Sequence, residues 1–364
     1  MTMKSSALSR PGATELPAEK LRALAVPLLG ALLVVVLVVC ATIGSMPMSA
    51  RFVAGLPLRK LGALAASATD DQKDAVLLAI RLPRLALGML IGSTLAISGV
   101  ALQGLFRNAL ADPALLGISS GAALGAVTSI VFGANVMHLL PAAVLPFVLP
   151  LAAFGGAIAA MAAVERMARF DGRTSITMLL LAGIAVNALC QAAMGFCVYV
   201  ANDAQLRTIT FWNLGSLGGA TWTTVLGAGP LLLVPLVVLP WFARSLDAIL
   251  LGEAEAGHLG VSVDRTKRFV FALVALGIGA SVAAAGILGF VGLVVPHLLR
   301  LLLGPGHRAL MPATAIAGAI LLLVADALAR TIVAPAELPL GLLTAAIGTP
   351  FFLVLLRRER RTFA

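Results

Sequence analysis

Long apolar runs alternate with short polar breaks along almost the whole chain. Ten of the runs approach the length a helix needs to cross a bilayer, at about 24 to 44, 85 to 105, 115 to 134, 143 to 165, 177 to 200, 222 to 243, 269 to 286, 287 to 303, 310 to 330 and 339 to 356. A hydrocarbon core roughly 30 Å thick takes about 20 apolar residues of helix. The pattern therefore predicts an all-α polytopic membrane protein with ten transmembrane helices per protomer. Residues 1–20 read as a cytoplasmic tail, 21–356 as one transmembrane domain and 357–364 as a second cytoplasmic tail. The first run follows Lys20 and Arg22 but exceeds the apolar core of a secretory signal, so it reads as a retained helix. Two connections are longer than the rest. The outer one, Ser45 to Ile80, carries the acidic patch Asp70, Asp71 and Asp74; the inner one, Arg244 to Arg268, centres on a short amphipathic helix. In that helix Glu253 and Glu255 are expected toward water, with Leu250, Leu251 and Leu259 on the other side.

Composition agrees with the pattern. Hydrophobic residues make up 60% of the 364 and charged ones 12%, and the mean hydropathy is +1.04, outside the range of soluble domains. Charge then sets orientation. With both termini in the cytoplasm, eighteen of the 26 Lys and Arg fall inside and eight outside, the bias expected of cytoplasmic loops. The net charge of +10 is spread over many short loops without aromatic interleaving, which argues against a nucleic-acid partner. Cys40, Cys190 and Cys197 lie in apolar runs and read as packing residues rather than a disulfide or metal framework. Gly88 and Gly92, and Gly117, Gly121 and Gly125, recur at four-residue steps and predict close helix packing. A weak likeness between AISGVALQGLFRN and AAAGILGFVGLVVPHLLR hints at an internal repeat.

Candidate chemistry is sparse. None of the five lysines follows a glycine, so a phosphate-binding Gly-Lys-Ser/Thr loop is absent and any ATPase must be another polypeptide. Gly117-Ile118-Ser119-Ser120-Gly121 matches the pattern of a hydrolase nucleophile, but it opens an apolar helix rather than a strand-to-helix elbow. Ser119 and Ser120 are expected to cap that helix instead. An ion-coupled transporter would need an available intramembrane carboxylate. Asp326 is the acid well inside a span, and Arg330 stands one turn later, spaced for a local ion pair. His138, His258, His297 and His307 lack metal-ligand spacing. Gln103, Asn187 and Gln191 lie within helices, where they either line a polar path or bond neighbouring helices. Arg81 and Arg84 flank Pro83, which suits the first turn of a helix, and both are expected at the outer surface, anchoring lipid or meeting carboxylates of a partner. At the inner end, Arg107 to Pro113 forms a tight turn, because Pro113 disfavours helix at Asp112.

These residues also carry a family likeness. RLPR (Arg81 to Arg84), SGVALQGLFRNALADP (Ser98 to Pro113), LLGISSGA (Leu115 to Ala122), LLLAGIAVNAL (Leu179 to Leu189), GEAEAGHLG (Gly252 to Gly260), GFVGLVVPHLLRLLLGPGHR (Gly289 to Arg308), ADALAR (Ala325 to Arg330) and ELPLGLLTAAIGTPFF (Glu337 to Phe352) together resemble the permease subunit of type II ABC importers, the iron-siderophore, haem and cobalamin uptake family. The resemblance implies that family's permease fold, a homodimer in the bacterial inner membrane, two cytoplasmic ABC ATPase subunits carrying ATP and magnesium, and one periplasmic binding protein. It implies that the chain is not itself an enzyme and holds no resident cofactor. It places Arg81, Arg84 and Arg330 at the binding-protein contact. Asn108 and Leu110 fall at the inner gate, beside Thr174, Ser175 and Thr177, with Asn187 and Gln191 as candidates on the path. Within a coupling segment at about 245–268, Gly252, Glu253, Glu255, Leu259 and Gly260 match the element that meets the ATPase. Ala109 departs from the proline frequent there. The stretch Tyr199 to Trp222 looks most like haem permeases, which makes haem the expected cargo. Tyr199, Met194 or His138 have side chains able to ligate its iron, although tight ligation would oppose release.

Overall fold

The protein is described by a computed structural model over residues 18–44, 46–60, 68–133, 140–170 and 173–360. Most of the predicted N-terminal tail, Ser45, His138 and the last four residues lie outside the described residues. Among those described, seven helices are long and apolar enough to cross a membrane and three more apolar helices are shorter, at the ten places the hydropathy pattern marks.

Helix α1 (Ala18–Thr42) begins before its apolar run, since Lys20 and Arg22 are good helix formers and extend it. Three short helices fold the outer connection: α2 (Ala50–Ala54), α3 (Leu56–Lys60) and α4 (Ala68–Val76). The expected acidic patch is divided there. Asp74 is buried and accepts a 2.6 Å ion pair from Arg59, whose guanidinium also lies 3.7 Å above the Phe52 ring.

Helix α4 runs without a break through a π-helical turn, Leu77–Arg81, into α5 (Leu82–Leu105). Pro83 therefore does not begin a helix as predicted. It follows the π turn, in which the Leu82 N–H reaches back five residues to the Leu77 carbonyl. Having no N–H, Pro83 leaves the next carbonyl of that series, at Leu78, without its backbone partner. The Trp222 indole fills the place, donating to the Leu78 oxygen at 2.8 Å.

Helix α5 is the central element, with every residue from Ile91 to Leu105 buried. After the inner turn come a 3₁₀ turn, Pro113–Leu116, then α6 (Ile118–Phe132) and α7 (Leu145–Ala168). A two-residue hairpin, β1 (Arg169–Phe170) with β2 (Arg173–Thr174), leads into α8 (Ile176–Val200). A helix with no forewarning in the hydropathy pattern, α9 (Asp203–Asn213), follows behind a capping box of Asn202 and Gln205. Then come α10 (Trp222–Val238), a 3₁₀ turn, α11 (Ala243–Leu251), α12 (Glu253–His258), α13 (Val263–Ala285), α14 (Val291–Leu303), α15 (His307–Thr331) and α16 (Leu340–Arg360).

Glycine brings backbones together as its spacing predicts. A Cβ at Gly92 would overlap the Gly318 carbonyl on α15, and one at Gly121 or Gly125 would overlap α7 backbone at Gly156 or Ala152. Gly117 departs from that row: its φ of +76° ends the 3₁₀ turn. Ser119 and Ser120 make no side-chain cap bond, and Asp112 supplies the cap one element earlier by accepting the Ala114 N–H at 2.7 Å.

Two of the ten runs do not form full-length spanning helices. At 15 and 13 residues, α6 and α14 extend about 22 and 20 Å, short of a bilayer core. Irregular backbone supplies the remainder. Pro113 returns to a position beside Gly292 and Leu95, ten residues back along α5 from its end and so about 15 Å along the helix axis. Above it, residues 286–290 are non-helical, and the two irregular segments share a cavity of about 210 Å³. Such backbone is tolerated at depth because protein surrounds it. The repeat-like segments do not share a conformation, since Gly99 lies inside α5 whereas Gly286, at φ +73°, ends α13.

Candidate functional site

The outer cluster forms where α5 meets α15 and the loop after it. Arg81 and Arg84 were expected to project outward, and the structure turns both inward, at 6% and 9% exposure. Arg81 ends the π turn and Arg84 follows three residues later in the same continuous helix. Arg81 donates to the carbonyls of Ala41 and Met46. Arg84 is shared by two carboxylates, donating to Asp326 at 2.9 and 3.1 Å and to Glu337 at 2.9 and 3.0 Å. The expected pair of Asp326 with Arg330 is present at 3.1 Å, and Arg330 also donates to the Ile43 oxygen. Two guanidinium groups thus engage Asp326. Glu337 is half-exposed, and hydrogen bonds from Arg84 hold its carboxyl below the usual carboxylate range.

The inner turn is built by local polar bonds. The Asn108 side chain accepts the Leu110 N–H at 2.9 Å, its carbonyl accepts the Ala111 N–H at 3.1 Å, and Arg107 adopts φ +50°. Asn108 is exposed and Leu110 half-buried. Ala109 sits inside this Asx turn without disturbing it. Thr174 is buried, whereas Ser175 caps α8 by accepting the Met178 N–H at 3.4 Å and Thr177 is exposed. Of the polar pair on α8, Asn187 donates to the Ala114 carbonyl at 3.2 Å and so ties α8 to the 3₁₀ turn. Gln191 lies on the open side of the helix with Leu189, Phe196 and Tyr199, the last 87% exposed. Gln103 is buried and donates to the Leu293 oxygen at 3.3 Å, a bond between helices. Met194 is buried.

The inner connection is more helical than expected. Gly252, at φ +138°, and Gly260, at φ +82°, bracket α12, and a side chain at Gly252 would overlap the Glu255 carboxylate. The predicted division of faces is corrected here. Leu251 and Leu259 are 68% and 65% exposed, because buried Ala256 and Ile249 occupy the packed side. Glu253 is turned to a buried Lys267, at 2.7 Å. Sequence reasoning missed Lys267, Asp264 and Trp222, whose partners lie on remote segments. It quoted Glu337 within a motif without giving it a role, and a carboxylate opposite an arginine pair was the available signal.

No group of three or more His, Cys, Asp or Glu able to hold a metal occurs among the described residues. The arrangement places a polar turn after α5, an ion-paired cluster at the start of that helix and an exposed apolar pair, Leu251 and Leu259, on the connection around α12.

Comparisons with known proteins agree with that arrangement. The chain is 47% identical over 294 residues to the hemin transport system permease protein HmuU of Yersinia pestis, covering 81% of this chain and 86% of that one. It is 41% identical over 364 residues to the cobalamin import system permease protein BtuC of Halobacterium salinarum, covering 91% and 95%. A solved metal-chelate type ABC transporter in an inward-facing conformation superposes with a TM-score of 0.78 at 31% identity, covering 92% of this chain and 98% of that one. These relatives are transport permeases rather than enzymes, and ATP hydrolysis belongs to a separate subunit. The model of the FecCD transport family matches residues 30–358, and the chain belongs to that family as a multi-pass ABC importer permease.

Proposed function

We propose that the chain is the membrane subunit of an ATP-driven haem importer in a bacterial inner membrane, working as a homodimer with two ATPase subunits below and one periplasmic binding protein above. The observation that carries the cargo is the 47% identity to a hemin permease over 81% of the chain. A sparse polar lining suits haem, a flat apolar disc with two carboxylates that must pass without being trapped. The chain performs no covalent chemistry. ATP and magnesium on the partner bias the dimer between outward- and inward-facing states. Arg81, Arg84 and Arg330 form the docking end, Asn108 and Leu110 with Thr174, Ser175 and Thr177 the gate, Asn187 and Gln191 flank the path, and Gly252 to Gly260 meets the ATPase. Since Arg84 already holds Glu337, docking on this reading exchanges an internal carboxylate for one on the binding protein.

The 41% identity to a cobalamin permease across 91% of the chain favours cobalamin as a second reading. Titrating the cognate binding protein with haem, ferric siderophores and cobalamin, then measuring uptake into proteoliposomes, decides between them. Haem bound and transported is the expected result; cobalamin or a siderophore transported in its place overturns the haem assignment.

A further inference from the structure

Lys267 is a buried cation on the inner side that none of the roles above uses. It lies on the first turns of α13, is 2% exposed, and donates through Nζ to Glu253 at 2.7 Å and to the Thr174 carbonyl at 3.1 Å. One turn earlier, Asp264 accepts the Thr174 N–H at 3.2 Å. Both peptide groups of Thr174 are therefore held by α13, and the lysine that holds one of them also holds the first residue of α12. Lysine on a wet face ordinarily extends its ammonium into water. Here it is drawn inward between α12 and the lead-in to α8.

Thr174 directly precedes Ser175, the cap of α8. Resting on the reading of α12 as the ATPase contact and of 174–177 as gate lining, we propose that Lys267 is a positioning residue that transmits displacement of α12 to the start of α8. Movement at the ATPase thereby alters the opening at Thr174 to Thr177. The link is short and charge-assisted at both ends, which suits it to carry motion rather than absorb it.

The test uses the full complex with its ATPase subunits in inside-out vesicles, carrying Thr177→Cys. Thr177 is exposed, whereas Cys40, Cys190 and Cys197 are buried and stay silent to a membrane-impermeant maleimide. Labelling is timed without nucleotide and after trapping with magnesium, ATP and vanadate. The parent should change its labelling rate about fivefold or more between the two states. Lys267→Met should reduce that ratio below about twofold, and Lys267→Arg should restore it. A parental ratio in assembled Lys267→Met complexes overturns the proposal while leaving the gate reading intact. A parent that shows no change overturns the gate reading itself and the proposal with it. If Lys267→Met does not co-purify with the ATPase, Glu253→Ala cuts the same link from its solvent side, and the same loss is expected; an unchanged ratio there overturns the proposal.

Discussion

Replacing Asp326 with Asn tests the outer charge cluster directly. The carboxylate is 1% exposed and engages Arg84 and Arg330 at 2.9 to 3.1 Å, so the amide removes the negative charge that a buried and a partly buried guanidinium group face. Removing one partner from a buried ion pair costs roughly 3–5 kcal/mol. The lower end applies here, because Arg84 keeps Glu337 and Arg330 keeps the Ile43 carbonyl. At roughly 2.1 cal/mol/K of unfolding entropy per residue, the 364 residues give a loss of about 4 °C for about 3 kcal/mol. The assay is thermal unfolding in detergent followed with a thiol-reactive dye, for which buried Cys40, Cys190 and Cys197 serve as reporters. Asp71→Asn, at an exposed carboxylate, is the control and should leave the midpoint where it is. A shift below about 1 °C for Asp326→Asn would refute the idea that this carboxylate neutralises both arginines. Uptake by the surviving folded fraction should persist, whereas a proton-coupled carrier dependent on Asp326 would lose it.

Three further outcomes are expected. Gly92→Leu drives a side chain into the Gly318 carbonyl and should destabilise by roughly 1–3 kcal/mol, read as a lower midpoint and loss of monodispersity; a neutral result would mean α5 and α15 are not in backbone contact. Trp222→Phe removes the donor to Leu78 at a cost of about 1 kcal/mol, and amide exchange across residues 77–83 should quicken; unchanged exchange would show the π turn holds without it. Because Glu337 is depressed in the folded protein, its contribution is present above the unfolded value of about 4.3 and disappears as pH falls through the lower folded value. Midpoints measured from pH 6 down to pH 3 should therefore fall further in the parent than in Glu337→Gln, and parallel curves would sink the assignment.

What the chain discloses by itself follows the range of each interaction. Ten apolar runs mark ten helices because burial length is a local property, and the Asn108 turn is readable because its acceptor and donor lie two residues apart. The shortness of α6 and α14 is hidden, since Leu115 to Leu116 and Ile287 to Leu288 are as apolar as any spanning residue. Their re-entry depends on what Gly292 and Pro113 meet. The inward turn of Arg81 and Arg84 was equally hidden. Hydropathy sees two charges at a membrane edge, and their partners stand 40 positions away at Ala41 and 242 and 253 away at Asp326 and Glu337. Trp222 and Leu78, 144 positions apart, settle a turn that proline alone would have been read as starting.

The separation of Arg84 from its carboxylates also orders the protein's birth. Chains enter the membrane from the N-terminus, and α5 is synthesised long before α15 and the Glu337 loop. Throughout that interval Arg84 lacks both acids that engage it in the folded protein. The last third of the chain thus supplies the counter-ions of the first, and a chain that ends before residue 326 lacks both of them.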